Sequence, residues 1–493
     1  MKILLHAPSG YTFFFNEVMR IAREDGTPID FGVVLYSDSD GLLKDISSQV
    51  GAGNLLYLQE QLNDRMRSAD ADLDLMHEFP ASLFECVSTS KIMTGHIDMQ
   101  SKPRFYQRNI VANTYLIYKD FLSRWKPDLV FFPIIEGYDS LVLYHLCREI
   151  GVLPVIYGHG RNIGVSYFSS SIHEDLPPYV LSGPIPDDLL SRACEFIAAF
   201  RQGGKPAFEI SYRPSPQEVI PTARMHRSLP AKALRFLRIR LGRFEPHLMD
   251  RYTLLHNLRI HFHGLTMRYR RWKGDLVYRF FYDLRSVDTL PRKFVYYPLQ
   301  YTPETSINTP APYFIDQLRA IDLILTNLPA DHYLVIKEHP AMRGERPVSF
   351  YRELRRRPNV VLADFALPGR ELIERAAVTV SVTGTSCLEA FLLGRPALHL
   401  SRSFFTDWIG SFDSFSGFRG DMRSAMQAQV PQERIVDLVA RTFLAGYDFI
   451  IYAPNDPYRD PSLLMNTRNI REMLRALLDH AQRLRELPKG ERT

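Results

Sequence analysis

The chain has 493 residues, of which 45% are hydrophobic, 23% charged and 12% aromatic. Those fractions belong to an ordinary globular protein and exclude the disordered, collagen-like and coiled-coil classes. At roughly 150 residues per domain the length suits about two or three domains, each able to bury a core. The net charge of +5 is unevenly spread: between Arg224 and Lys273 thirteen Lys and Arg face two acids, a local net of about +11, which leaves about −6 on the remainder.

Four cysteines, Cys86, Cys147, Cys194 and Cys387, lie far apart and offer neither a disulfide framework nor a CxxC metal spacing, which suits a reducing compartment. No continuous apolar run reaches the roughly 18–20 residues of a membrane span. The opening MKILLHAPSGYTFFF breaks at Pro8 and Gly10. A signal peptide needs a longer apolar core and a small-residue cleavage site, so this stretch reads as a first β-strand and the chain as cytoplasmic.

Short apolar runs alternating with amphipathic helical patterns mark βαβ units and a parallel sheet. The first such block predicts strands at Lys2–Leu5, Phe31–Tyr36, Asn54–Leu58, Leu129–Pro133 and Val155–Gly158, with helices over Phe15–Arg23, Tyr106–Trp125 and Ser140–Ile150. The second predicts strands at Phe294–Pro298, Tyr333–Ile336, Val360–Leu362, Val378–Val382 and Ala397–Leu400, with helices over Phe314–Leu328, Glu371–Ala376 and Ser386–Leu393. Residues 466–486 make one more amphipathic helix. The predicted class is therefore α/β, two Rossmann-like doubly wound domains facing a cleft, over 1–186 and 290–460. A helical basic insert spans 187–289, and a C-terminal helical segment spans 461–493.

The strongest local signal is AVTVSVTGTSCLEAFLLGRPALHL, residues 377–400. An apolar strand runs into Thr383-Gly384-Thr385-Ser386 and then a helix. Gly384 permits close backbone approach, and the free N–H groups and dipole of a helix start favour an anion such as phosphate. Thr385 and Ser386 add hydroxyls, and Glu389, one turn on, can accept from a ribose. Ser386 as a plain helix cap is the alternative.

VIKEHP, residues 335–340, ends another strand, and ligands of parallel sheets bind at strand carboxyl ends. Lys337 and His339 alternate with Glu338, so both can face one side and meet a phosphate. Gln300, after the strand in FVYYPLQYTPET, is placed to bind a sugar or phosphate oxygen at the cleft. In FFPIIEGYDS, residues 131–140, Glu136 and Asp139 are candidate carboxylates to take the acceptor hydroxyl's proton or to act as nucleophile. Asp139 is equally placed to be a helix N-cap. His159 and Arg161 in GHGRN can bind an anionic sugar, with ordinary loop residues as the alternative.

Asp38 and Asp40 have DxD spacing but sit in a turn-like SDSDG, so no metal role is assigned. HExxH, Walker, GxSxG and cysteine–histidine cluster signatures are missing from the chain. The basic segment, with Leu234, Leu237 and Leu241 at helical spacing and Phe236 and Trp272 among arginines, suits a helix lying on an anionic membrane surface through 224–273. No nucleic-acid motif accompanies it.

KEHP paired with VTGTSCLEAFLLGRPALHL, after a YYPLQ strand, resembles bacterial capsule and surface-polysaccharide biosynthesis glycosyltransferases of the GT-B type. These include Kdo transferases, which use a CMP-sugar. Bacterial sialyltransferases share a similar His-Pro element, and CDP-glycerol glycerophosphotransferases are also similar. The resemblance covers mainly 290–400 and the strand-loop-helix around 128–158. It implies that His339, Thr385 and Ser386 contact the nucleotide phosphate, and that Asp139, or else Glu136, is base or nucleophile. It further implies a nucleotide-sugar donor, a glycan or glycolipid acceptor, no cofactor or metal, and work at the inner membrane face. A glycerophosphotransferase and a non-catalytic scaffold of capsule assembly are the alternatives.

Overall fold

The computed structural model describes residues 1–493 except 9, 37–41, 68–103, 204–211, 213, 221–268, 270–271, 277, 303–304, 343, 412–416, 453–459 and 489–493. The DxD pair and nearly all of the basic segment fall outside the described residues.

In the first block the chain runs β1 (Lys2–Ala7), α1 (Thr12–Glu24), β2 (Asp30–Leu35), α2 (Leu43–Val50), β3 (Leu55–Tyr57), α3 (Leu58–Arg67), α4 (Arg104–Trp125), β4 (Leu129–Phe132), α5 (Tyr138–Ile150), β5 (Leu153–His159) and β6 (Ser166–Ser169). These strands form one sheet in the order β3-β2-β1-β4-β5-β6. The first five are parallel, and β6 closes the edge antiparallel to β5. Their side chains are buried on both faces, Leu5 and Phe131 towards one core and Leu4 and Val130 towards the other. That explains why the strands read as unbroken apolar runs.

After α6 (Asp187–Arg201) the second block runs β7 (Phe294–Pro298), α7 (Gln317–Asn327), β8 (Tyr333–Lys337), α8 (Val348–Arg355), β9 (Val360–Ala363), α9 (Gly369–Arg375), β10 (Val378–Ser381), α10 (Thr385–Leu392) and β11 (Ala397–His399). Its strands pair in the order β11-β10-β7-β8-β9, all parallel. Relative to its own first strand each sheet runs 3-2-1-4-5, a doubly wound order whose direction reverses beside strand 1. Those reversals lie between β1 and β4 and between β7 and β10. Two Rossmann-like sheets therefore face each other with their switch points towards one cleft, the GT-B arrangement.

The chain then passes through α11 (Gln432–Ala445) and ends in α12 (Thr467–Glu486). Helix α12 packs Ile470, Met473, Leu474 and Leu477 into the core of the first sheet beside Phe14 and Met19 of α1. Its first turn is fixed by Asn469, which has no exposure. The Asn469 Oδ1 accepts from the Ile450 N–H at 2.9 Å, and its Nδ2 donates to the carbonyls of Ile450 and Leu464, each at 3.0 Å. Asn469→Ala leaves three buried backbone groups unsatisfied. The expected loss is about 2 kcal/mol of unfolding free energy in a urea titration.

No helix among the described residues is long and apolar enough to cross a membrane. Cys147, Cys194 and Cys387 are free thiols.

Candidate functional site

Between the two sheets lies a cleft of about 560 Å³. The first block contributes Tyr11 and Pro133–Ile135 from the loops after β1 and β4, and His159, Arg161, His173 and Glu174 from around β5 and β6. The second contributes Gln300 and Tyr301 after β7, His339 after β8, Thr383–Ser386 after β10, and Arg402 and Ser403 after β11. Most of these residues follow strand carboxyl ends, where a parallel sheet leaves room for ligands.

The loop before α10 is set from behind. Ser381 Oγ accepts from the Gly384 N–H at 2.9 Å and from Gln300 Nε2 at 2.8 Å. Gln300 is 7% exposed, and its backbone N–H donates to Gln317 Oε1 at 3.1 Å. A Cβ at Gly384 would lie 2.5 Å from Ser381 Oγ and 2.7 Å from Gln300 Nε2. Glycine is thus required by close approach; its φ of −72° is open to any residue. Gln300 spans the switch point between β7 and β10 and holds the loop, and it also lines the cleft, where the sequence placed it. Gly384 is the N-cap and Thr385 the first helical residue, so helix α10 presents its first N–H groups to the cleft with Thr385 and Ser386 beside them.

Beneath this loop the buried His399 sits 3.1 Å from Ser403 Oγ and 3.2 Å from Thr406 Oγ1 through Nδ1, with Nε2 3.5 Å from the Gly384 carbonyl. Burial, with a lesser push from Arg161, lowers its pKa to about 3. The unfolded chain takes up this proton near pH 6.5 while the folded chain refuses it, so stability falls as pH drops from about 6.5 towards 3. His399→Asn is expected to lose less stability than the wild type between pH 7 and pH 5.5. The difference, read from denaturant midpoints at the two values, is on the order of 1 kcal/mol.

His339 lines the cleft and is exposed, its ring centroid 5.9 Å from that of Tyr301. Lys337 does not join it. Strand β8 ends at Lys337 and the chain turns into a 3₁₀ turn at Pro340–Met342, so strand alternation no longer governs these side chains. Lys337 Nζ donates to the Leu367 carbonyl, and burial lowers its pKa against the opposing pull of Asp364 and Glu389. Glu389 also stands outside the cleft lining. Its Oε1 accepts from Asn162 Nδ2 at 3.2 Å, and burial raises its pKa. Lys337 is thus tied within the second block, and Glu389 belongs to an interdomain contact beside the cleft.

Arg161 is a strut between the blocks, donating through Nη1 to the Thr383 carbonyl at 2.6 Å and lying 3.8 Å from Glu174 Oε2. It adopts a left-handed φ of 47°. His159 Nδ1 accepts from the Arg161 N–H at 3.1 Å. Thr309 Oγ1 donates to the Ile135 carbonyl at 3.0 Å, and Arg402 pairs with Asp175 at 3.0 Å, so each block carries part of the other's loop.

Asp139 and Glu136 are not among the cleft-lining residues. Asp139 is 7% exposed, with Oδ2 3.0 Å from His6 Nε2 behind the lining segment Pro133–Ile135. Nor is it the helix cap: Gly137 holds that place, its N–H donating to Ser140 Oγ at 3.1 Å. Glu136 is exposed. The carboxylate that does line the cleft is Glu174, in a left-handed turn with φ 57°. No local sequence signal marks it, because its place depends on β6 folding back along β5. Tyr301, His173 and Arg402 went unread for the same reason, each arriving from a separate loop. Among the described residues no group of three His, Cys, Asp or Glu side chains is placed to hold a metal ion.

The strand-loop-helix at β10 and α10 lies, with His339, within a stretch that has recognisable relatives. Residues 214–444 match the capsule polysaccharide biosynthesis protein family. The chain thus resembles capsule polysaccharide biosynthesis proteins, as its motifs implied. The capsule-family segment contains Gln300, His339 and Gly384–Ser386, while His159, Arg161, Asp139 and Glu174 precede it. Among solved structures the chain is similar to the Thermosulfurimonas dismutans KpsC beta Kdo 2,4 transferase, with 11% identity over 66% of this chain and 82% of that one and a TM-score of 0.34. It is also similar to the beta Kdo 2,7 transferase of the same organism, at 16% identity over 46% and 67% with a TM-score of 0.23. The UDP-GlcNAc 2-epimerase of Methanocaldococcus jannaschii matches at 11% identity over 97% and 100%, TM-score 0.23. No curated protein sequence matches the chain.

Proposed function

We propose that the protein is a glycosyltransferase of capsule or surface-polysaccharide assembly. It moves a sugar from a nucleotide-sugar, with a CMP-sugar such as CMP-Kdo favoured, to a glycan or lipid-linked acceptor. The observation that carries this reading is the locked loop before α10 at a switch point, lining together with His339 a cleft shared by both domains. The N–H groups of α10, the Thr385 and Ser386 hydroxyls and the His339 imidazole bind the donor phosphate. They stabilise the negative charge that grows on it as the sugar–oxygen bond breaks. A metal ion is not required for that step. Tyr301 supplies a ring face for the base or sugar.

The acceptor lies against the first block, where His159, Arg161 and His173 face the cleft. Its hydroxyl proton passes to a carboxylate as the new bond forms. Asp139, in the first turn of α5 and paired with His6 near the carboxyl end of β1, is the residue proposed for this role or for nucleophilic attack on the sugar. Glu174 is the second candidate because it lines the cleft. Asp139→Asn and Glu174→Gln distinguish them: the variant that abolishes transfer while still binding nucleotide identifies the carboxylate.

Tyr269, Trp272, Leu276 and Phe280 are exposed large apolar residues three and four positions apart, the first two at the end of the basic run and the last two just after it. This supports the reading that the enzyme contacts an anionic membrane surface and works at the inner membrane face.

Thermal unfolding with CMP, CDP, UMP, UDP and GDP tests the reading. A ligand at about 100 times its dissociation constant stabilises the fold by roughly 2.7 kcal/mol, and selective stabilisation by CMP is expected. The reading fails if no nucleotide stabilises the protein and no sugar is transferred. Glycerol phosphate on the product in place of a sugar would establish the glycerophosphotransferase instead; the same His-Pro element serves both.

A further inference from the structure

We infer that Glu338 is a positioning residue for the nucleotide site, holding the His339 turn in register with the Tyr301 loop through a buried pair with Arg346. The inference rests on the glycosyltransferase reading of the cleft and assigns work to a side chain that never reaches it.

The Glu338 side chain has 0% exposure and that of Arg346 7%. Every oxygen of the carboxylate is engaged. Oε1 accepts from the His339 backbone N–H at 2.8 Å, and Oε2 accepts from Arg346 Nε at 2.8 Å and from the Tyr351 hydroxyl at 2.7 Å. The remaining guanidinium nitrogens of Arg346 turn to the other loop, Nη1 to Thr302 Oγ1 at 3.3 Å and Nη2 to the Gln300 carbonyl. One planar cation thus ties the carboxyl end of β8 to the carboxyl end of β7, on either side of Tyr301. The ring of Phe350 lies 5.1 Å beneath the guanidinium, and Tyr351 is held in turn against Tyr278, centroid to centroid 4.8 Å.

A buried ion pair is a poor source of stability, since desolvating both charges offsets most of their attraction. What the fork geometry of arginine supplies is direction, because its donors lie at fixed angles in one plane. Here those donors fix the relation of two loops whose tips, Tyr301 and His339, both line the cleft. Lysine at 346, or an amide at 338, has the size but not the set of directed bonds. In Glu338→Gln an NH₂ group must face either the His339 N–H or the Arg346 and Tyr351 donors, so one side of the link opens.

The test compares wild type with Glu338→Gln, Tyr351→Phe and the apolar double variant Glu338→Met/Arg346→Leu. Fold is followed by circular dichroism, and the His339 imidazole by ¹⁵N NMR, its signal assigned with His339→Ala. The nucleotide titrated is whichever of CMP, CDP, UMP, UDP and GDP stabilises the wild type. Glu338→Gln is expected to remain folded, to show a shifted His339 signal before any nucleotide is added, and to bind nucleotide at least tenfold more weakly. Tyr351→Phe, which removes one donor only, is expected to weaken binding about threefold. The double variant is expected to regain thermal stability over Glu338→Gln without regaining affinity. A purely structural pair would move the melting temperature and leave the affinity of the folded protein and the His339 signal unchanged.

Nucleotide affinity within twofold of wild type in folded Glu338→Gln or in the double variant overturns the inference. An unshifted His339 signal does so even if no nucleotide binds the wild type. That last result, by contrast, overturns the glycosyltransferase reading, so the two failures are told apart.

Discussion

His339→Ala is expected to weaken nucleotide binding about a hundredfold and to leave the fold intact. The side chain is exposed and faces the cleft, so its truncation removes little packing, and surface substitutions of this kind stay within about 0.5 kcal/mol of wild-type stability. Its contribution is to the ligand. A hydrogen bond from an imidazole to a phosphate oxygen is charge-assisted and worth roughly 1.5–3 kcal/mol, and about 2.7 kcal/mol corresponds to a hundredfold change in affinity. Lys337→Ala is the informative contrast. Its ammonium is spent on the Leu367 carbonyl away from the cleft, so affinity is expected to change no more than about threefold while stability falls by roughly 1 kcal/mol. Titration calorimetry with CMP on both variants gives the comparison. Equal losses would mean that Lys337 swings into the site, and no loss in His339→Ala would place the phosphate elsewhere in the cleft.

The two variants also mark how far the sequence could be read. Strand ends are legible because a doubly wound sheet buries its strands as apolar runs and puts polar residues at their carboxyl termini, and Gly384, Thr385, Ser386 and His339 do fall together in one cleft. Side-chain direction past the last strand residue is not legible. The alternation that makes Lys337 and His339 neighbours stops where the chain turns at Pro340, and Glu338 tucks inward because Arg346 and Tyr351 wait for it there. Gln300 reads as a ligand-binding amide, and its bond to Ser381, 81 residues away, is not legible in the sequence. Strand β6 escaped the hydrophobic pattern because SYFS is short and pairs antiparallel at an edge. With it went Glu174, which only the turn after β6 brings to the cleft. Asp139 shows the converse: a carboxylate near a helix start suggests a cap, yet the cap is Gly137 and the carboxylate is paired with His6.

Gly384→Val is expected to abolish nucleotide binding, with affinity falling more than a hundredfold, and to lower stability by about 2 kcal/mol. Overpacking a filled site costs roughly 1–3 kcal/mol, and this site is filled by atoms that cannot retreat singly. Ser381 Oγ and Gln300 Nε2, 2.5 and 2.7 Å from the added Cβ, are bonded to each other at 2.8 Å and buried. Moving either opens the bond that spans β7 and β10. The larger effect on binding than on folding follows from position: relief of the clash tilts the start of α10, and the N–H groups there must converge on one phosphate. Gly420→Ala is the control. Its Cβ would meet nothing within 4 Å, and it lies in the helix Phe418–Gln427, where alanine is favoured over glycine by roughly 0.5–1 kcal/mol. It should therefore be neutral or stabilising, with nucleotide affinity unchanged. If Gly384→Val keeps its affinity while losing stability, the lock between Gln300 and Ser381 serves the fold alone. If both glycine variants leave affinity intact, the phosphate does not sit at the start of α10, and the cleft's cationic side chains, Arg161 and Arg402, become the place to look for it.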